Sequence, residues 1–332
     1  LSKVSMIEHI AYILVGITLL VWSADRFTDG AAAVAQNFGV SRLIVGLTIV
    51  AIGSSAPEIF VSILDSFKTC PPDAENCGPE VAIGNAIGSN ITNVALVLGI
   101  TALVKPLLIN SGMIKREIPI LFVVSFAVLY FFWDLRLSHV EGIILLSSLV
   151  AYFIWLVHTG IKTRDKNDRM LEEIVDELPE KMSSPKAIFW LLLGLVLLVV
   201  SSKILIVGAS GFALQMGVSE TLIGLTIVAL GTSLPELAAS ISAVMKNEHE
   251  IAIGNVVGSN IFNLLGVLGI PAVIAAPMVE KEILTIDYPV MLGLCILLAV
   301  LAYGIRGPGK INRLAGAILL AAFIGYYIVR VF

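Results

Sequence analysis

Two glutamates stand in matching contexts 178 residues apart: Glu58 closes the segment GSSAPE at 53–58, and Glu236 closes GTSLPE at 231–236. Each segment lies within a run of Leu, Ile, Val, Ala and Gly long enough to sit in hydrocarbon. A charged side chain placed there costs about 2.5–3.5 kcal/mol or more on insertion, so an intramembrane Glu marks a functional site by default. Pro57 and Pro235 have no N–H, and each ring collides with the carbonyl four residues back, those of Gly53 and Gly231. The helix must break at both places, which frees carbonyls over 51–53 and 229–231, beginning with Ala51 and Ala229. The other nearby groups are also oxygen donors: Ser54 and Ser55 in one copy, Thr232 and Ser233 in the other. Hydroxyl, carbonyl and carboxylate oxygens suit hard cations such as Na+ and Ca2+, and no His or Cys stands beside them to favour zinc or copper. Two carboxylates brought together repel unless neutralised, and one divalent cation neutralises both.

A second block repeats as well, as IGNAIGSNITNVALVLGI from Ile83 and IGNVVGSNIFNLLGVLGI from Ile253. Asn85, Ser89 and Asn93 recur at every fourth residue and share one helix face, as do Asn255, Ser259 and Asn263. The glycines between them allow a neighbouring helix to come close. Taken alone, such a block is ordinary small-residue membrane packing. Beside two buried carboxylates it reads as a polar wall.

The elements that must position these groups follow from composition. Of 332 residues, 58% are hydrophobic and only 14% charged, with mean hydropathy +0.97, which no soluble domain matches. Charged residues gather between apolar runs of about twenty residues, the length that crosses a bilayer core. The pattern predicts an all-α polytopic membrane protein with ten transmembrane helices, at 7–35, 42–67, 80–103, 118–133, 140–161, 187–216, 221–245, 251–274, 283–303 and 314–331. The one long polar connection, 162–186, separates a first five-helix repeat, 1–161, from a second, 187–332. The first block keeps a constant offset of 178 residues between the halves and the second an offset of 170, the difference being absorbed by the longer 69–79 loop. An odd number of spans per repeat forces the second copy to enter from the opposite face, the inverted-repeat plan of many secondary transporters.

Sorting charges among alternate loops places fourteen of the 21 Lys and Arg on one side and five on the other. The positive-inside rule then puts the 162–186 linker in the cytoplasm and both termini outside, in the cell (inner or plasma) membrane. The first apolar run reads as a spanning helix rather than a cleaved leader. Cys70 and Cys77 share an outside loop, where a disulfide between them is expected and two free thiols are the alternative. Cys295 reads as packing, and Asp25, Arg26 and Asp29 as interfacial or structural. With net charge -4 and no dense basic block, the sequence implies no nucleic-acid partner; its partners are the bilayer and the ions, and a monomer is the simplest expectation. Nor is an enzyme or a cofactor expected. Gly53-Ser54-Ser55 departs from a nucleophile elbow at Pro57, and the four histidines lie at span ends, which leaves no buried general base. A passive cation channel stays open, because the same oxygens can line a pore.

GSSAPE and GTSLPE, each followed by GNxxGSNxxN, resemble the alpha repeats of prokaryotic sodium/calcium exchangers in the calcium/cation antiporter superfamily, over nearly the whole chain. The resemblance implies a cluster of ion sites between the second, third, seventh and eighth helices. It makes Glu58 and Glu236 the calcium ligands, with the carbonyls of Ser54 and Thr232 or their neighbours. Ala51, Ser55, Ser89, Ala229, Ser233 and Ser259 would complete the sodium sites, and Asn93 and Asn263 would stand among the ligands. It implies Na+/Ca2+ antiport by alternating access, the first and sixth helices sliding against the rest. Asn263 stands where potassium-dependent exchangers carry Asp, which implies independence of K+. Asn85 and Ser89 do not match the proton/calcium branch, although H+/Ca2+ or other divalent antiport remains the alternative. Ser54 replaces the commoner Thr, and the 162–186 linker is too short for a regulatory calcium-binding domain.

Overall fold

A computed structural model describes residues 6–67, 79–109, 113–163, 182–217, 229–303 and 309–331. In chain order its helices are α1 (Met6–Phe38), α2 (Arg42–Ser54), α3 (Ala56–Ser66), α4 (Val81–Val104), α5 (Met113–Asp134), α6 (His139–Thr159) and α7 (Ser184–Gln215). They continue with α8 (Ala229–Thr232), α9 (Leu234–Met245), α10 (His249–Ala275), α11 (Ile283–Tyr303) and α12 (Arg313–Arg330). Among the described residues, eight helices are long and apolar enough to cross a membrane, and α2 with α3 makes a ninth if the bent pair is one span. The span expected at 221–245 is described only from Ala229 onward, as α8 and α9. The rest of that span, the linker residues 164–181, and Cys70 and Cys77 lie outside the described residues. A two-residue antiparallel pair, β1 (Leu107–Leu108) with β2 (Lys310–Ile311), is the strand structure among the described residues.

Both proline motifs break their helices as the sequence requires. α2 and α3 meet at 46°. The junction residues Ser55 (φ -80°, ψ 9°) and Ser233 (φ -88°, ψ 6°) leave the helical region in nearly the same way. Pro57 and Pro235 then fall in the first turns of α3 and α9, where a missing N–H costs nothing. The halves also share wide π-helical turns: Asn93–Val97 in α4 matches Asn263–Val267 in α10, and Met113–Glu117 in α5 matches Ile283–Asp287 in α11. Such turns recur at functional sites. The opening helices join the pattern, since Ser23 Oγ donates to the Leu20 carbonyl and Ser201 Oγ to the Leu198 carbonyl, both at 3.0 Å.

Packing sorts the helices by role. The central spans are α4 and α10, whose apolar windows are 72% and 83% buried, while every other span of 18 residues or more stays at or below 39%. α10 lies against α2, α4 against α3, and α9 against α10, so both broken helices enclose the two central ones. α1 packs chiefly on α7, along glycines that bring the backbones together. A Cβ added at Gly194 would sit 2.7 Å from the Phe27 backbone nitrogen. Lys246, just after α9, ties this pair to the rest: its Nζ meets Asp25 Oδ1 at 2.7 Å, the Asp25 carbonyl at 2.8 Å and Asp29 Oδ1 at 2.5 Å. The structural role expected for Asp25 and Asp29 is this tether. Next in the chain, Glu248 pairs with Arg42 at 3.1 Å, and burial raises its carboxyl above the usual range, with Arg42 acting in the opposite sense.

Candidate ion-binding site

Glu58 opens α3 and Glu236 opens α9, each two residues into the helix that follows its break. The carboxylate therefore stands in the first helical turn, where unpaired N–H groups and the helix dipole favour negative charge. Both side chains are buried, at 1% and 0% exposure. Glu58 Oε2 and Glu236 Oε2 are buried without a hydrogen-bond partner. A buried carboxylate oxygen left in that condition is costly unless a cation takes it.

The surrounding oxygens join the halves directly. Ser55 Oγ donates to Glu236 Oε1 at 3.0 Å, and Ser54 Oγ to Asn255 Oδ1 at 2.9 Å. Asn255 Nδ2 in turn donates to the Glu236 carbonyl at 3.2 Å and to Ser240 Oγ at 3.1 Å. The Ala51 carbonyl, expected to be freed by the break, is not: it accepts the Ser55 N–H at 3.1 Å within its own segment and Ser259 Oγ at 3.4 Å across the repeats. Gly231, whose carbonyl Pro235 leaves unpaired in its own helix, receives Ser202 Oγ from α7 at 2.7 Å. That carbonyl is satisfied by protein, a partner the sequence does not announce, because the residue 178 earlier is Ala24.

Of the residues singled out from sequence, Ala51, Ser54, Ser55, Glu58, Ser89, Asn93, Ser233, Glu236, Ser259 and Asn263 are all buried. Ser233 Oγ, Asn93 Oδ1 and Asn263 Oδ1 are, like the two glutamate oxygens, buried without a hydrogen-bond partner. Thr232 is half-buried at the end of α8, and Ala229 begins that helix. The sequence reading missed the cross-repeat role of Asn255, the cap from Ser202, and the pair Asn90 and Asn260. Asn90 Nδ2 donates to the Asn260 carbonyl at 3.2 Å and Asn260 Nδ2 to the Asn90 carbonyl at 3.4 Å. The recurrence of GSN in both halves was the available signal for that pair. An apolar groove of about 380 Å³ between α11 and α12, lined by Val290, Leu294, Ala322 and Tyr326, holds neither carboxylate.

A helical membrane protein with two carboxylates in its core, each set at a helix break and ringed by neutral oxygens, is built to handle cations. The chain matches the sodium/calcium exchanger protein family over residues 8–158 and 186–332, and it belongs to that family. It is 44% identical to the putative antiporter CaxA of Alkalimonas amylolytica, over 97% of this chain and 98% of that one. It is 37% identical to the inner membrane protein YrbG of Escherichia coli (strain K12), over 96% and 95%. The sodium/calcium exchanger MaX1 of Methanosarcina acetivorans is 29% identical over 96% and 97%. The solved structure of the sodium-calcium exchanger NCX_Mj soaked with Na+ and Ca2+ superposes with a TM-score of 0.79 at 31% identity, covering 97% of both chains. The protein is a membrane-embedded cation antiporter and not an enzyme.

Proposed function

We propose that this chain exchanges Na+ for Ca2+ across the cell membrane by alternating access, electrogenically and without K+. The observation that carries the reading is the pair Glu58 and Glu236, buried in the two motif copies, each with one oxygen that no protein group satisfies. Ser54, Ser55, Ser89, Asn93 and the Ala51 carbonyl supply the neutral oxygens of one half, and Thr232, Ser233, Ser259, Asn263 and the Ala229 carbonyl those of the other. Calcium takes about six to eight oxygens, which this set can furnish without a third carboxylate. The names of MaX1 and NCX_Mj as sodium/calcium exchangers support the choice of ions. Ten helices in two inverted repeats, 1–161 and 187–332, with the 162–186 linker in the cytoplasm and both termini outside, provide the alternating frame. The unit is a monomer.

Charge then dictates the behaviour. Two carboxylates and one Ca2+ leave the site neutral, whereas a load of about three Na+ leaves it near +1, so the two loaded states respond differently to membrane potential. Occupancy is mutually exclusive because both ions need the same Glu oxygens. The test is purified protein in sealed liposomes loaded with Na+, with radioactive Ca2+ uptake measured when external Na+ is diluted. The expected result is uptake that follows the Na+ gradient and is abolished by Glu58→Gln and by Glu236→Gln in folded protein. Uptake driven by a pH gradient instead would establish the proton-coupled reading, and uptake without any gradient dependence the channel.

A further inference from the structure

A carboxamide among cation ligands presents either an oxygen, which attracts the ion, or an NH2 group, which repels it. At Asn263 a chain of hydrogen bonds decides between them. The Asn260 backbone carbonyl can only accept, so the Asn90 group that meets it at 3.2 Å is Nδ2. Asn90 therefore turns its Oδ1 the other way. That oxygen can only accept in turn, so the Asn263 group 3.1 Å from it is Nδ2. What Asn263 has left is Oδ1, which is buried and has no hydrogen-bond partner. Its helix face is that of Ser259, whose hydroxyl meets the Ala51 carbonyl beside the break between α2 and α3. The wide turn that starts at Asn263 packs on α3 and α4, and Ser62 Oγ fastens it by donating to the Val267 carbonyl at 2.7 Å.

We infer that Asn90 is a positioning residue: anchored on the Asn260 carbonyl, it holds the Asn263 carboxamide with its oxygen, not its nitrogen, toward the transported cation. The relay is closed on one side of the repeat only. Its mirror image would run from the Asn90 carbonyl through Asn260 to Asn93, but Asn260 Oδ1 is unpartnered, so Asn93 gains no such orientation. The inference rests on Asn263 being a cation ligand, as the proposed function has it.

The test is flux in liposomes, reading half-saturating Na+ and Ca2+ separately from maximal rate. Asn90→Leu keeps the shape of the side chain and removes both hydrogen-bonding groups; it should raise at least one half-saturating concentration about tenfold, with maximal rate within about threefold. Should that variant not fold, Asn90→Ala carries the same test. Asn260→Ala removes an equally buried carboxamide but leaves the carbonyl that anchors the relay, and it should change neither value by more than about twofold. In an Asn263→Asp background both terminal atoms are oxygens and neither can donate to Asn90 Oδ1, so Asn90 has no orientation to hold and Asn90→Leu should bring no loss of affinity there. Equal penalties in both backgrounds, or a penalty for Asn260→Ala as large as that for Asn90→Leu, would show mere packing and overturn the inference. An Asn263→Ala variant with unaltered half-saturation would remove Asn263 from the site, and the inference with it. An Asn263→Ala variant that shifts, beside an Asn90→Leu variant that does not, overturns the relay alone.

Discussion

Ser55 is the residue through which the first repeat grips the carboxylate of the second. Its hydroxyl holds Glu236 Oε1 and leaves Oε2 without a protein partner, so one oxygen fixes the group and the other is available to an ion. A hydrogen bond to an ionised acceptor is worth about 1.5–3 kcal/mol. Ser55→Ala is therefore expected to raise half-saturating Ca2+ about tenfold in a flux assay while the protein stays folded, and an unchanged value would show that Ser55 does not hold the ligand. Asn255 acts one step further out. It bonds both the Glu236 carbonyl and Ser240, and receives Ser54, so a single amide connects the break in α2 and α3 to the start of α9. These residues differ in how far the sequence betrays them. A carboxylate, two hydroxyls and a proline in hydrocarbon are costly and so stand out in both motif copies. Asn255 sits in the polar stripe and Asn90 beside it, in a block that small-residue packing explains equally well, and only three-dimensional register shows which of their atoms meet across the repeats.

At the level of elements, the broken helices are the feature both readings share. The sequence predicts the rupture from Pro57 and Pro235, and the structure puts it at Ser55 and Ser233. What no repeat foretells is how the freed carbonyls are used, because Ser202 caps Gly231 where the first half has Ala24. Ser202→Ala should cost about 1–3 kcal/mol through the unsatisfied carbonyl, seen as an earlier loss of monodisperse protein on heating, whereas Ala24→Ser should bring no comparable loss. The wide turns beginning at Asn93 and Asn263 are equally hidden, since they fall inside apolar runs long enough to read as continuous helix. The contact of α1 with α7 depends on absent side chains. Because a Cβ at Gly194 would lie 2.7 Å from the Phe27 backbone nitrogen, Gly194→Ala must push the helices apart, and about 1–3 kcal/mol of stability is expected to go with it.

Across the whole molecule, α1 and α7 pack together outside the central helices, and Lys246 holds α1 through Asp25 and Asp29. These are partly exposed ion pairs, each worth about 0.2–1 kcal/mol. Lys246→Met should therefore speed hydrogen exchange of the α1 amides near Asp25 and Asp29 by no more than about thirtyfold, with a few-fold change expected; no change would mean the tether carries no load. The organisation in halves is legible from sequence because both motifs recur at fixed offsets, and the matching π turns and Ser–carbonyl bonds extend it into backbone geometry. The central claim is that Glu58 and Glu236 are two halves of one cation site. Calorimetric titration of Ca2+ into purified protein at several Na+ concentrations tests it most directly. One Ca2+ should bind per chain, its apparent Kd rising steeply with Na+, and binding should vanish in Glu58→Gln and in Glu236→Gln alike. Calcium bound with wild-type affinity by either variant, or indifferent to Na+, would contradict it.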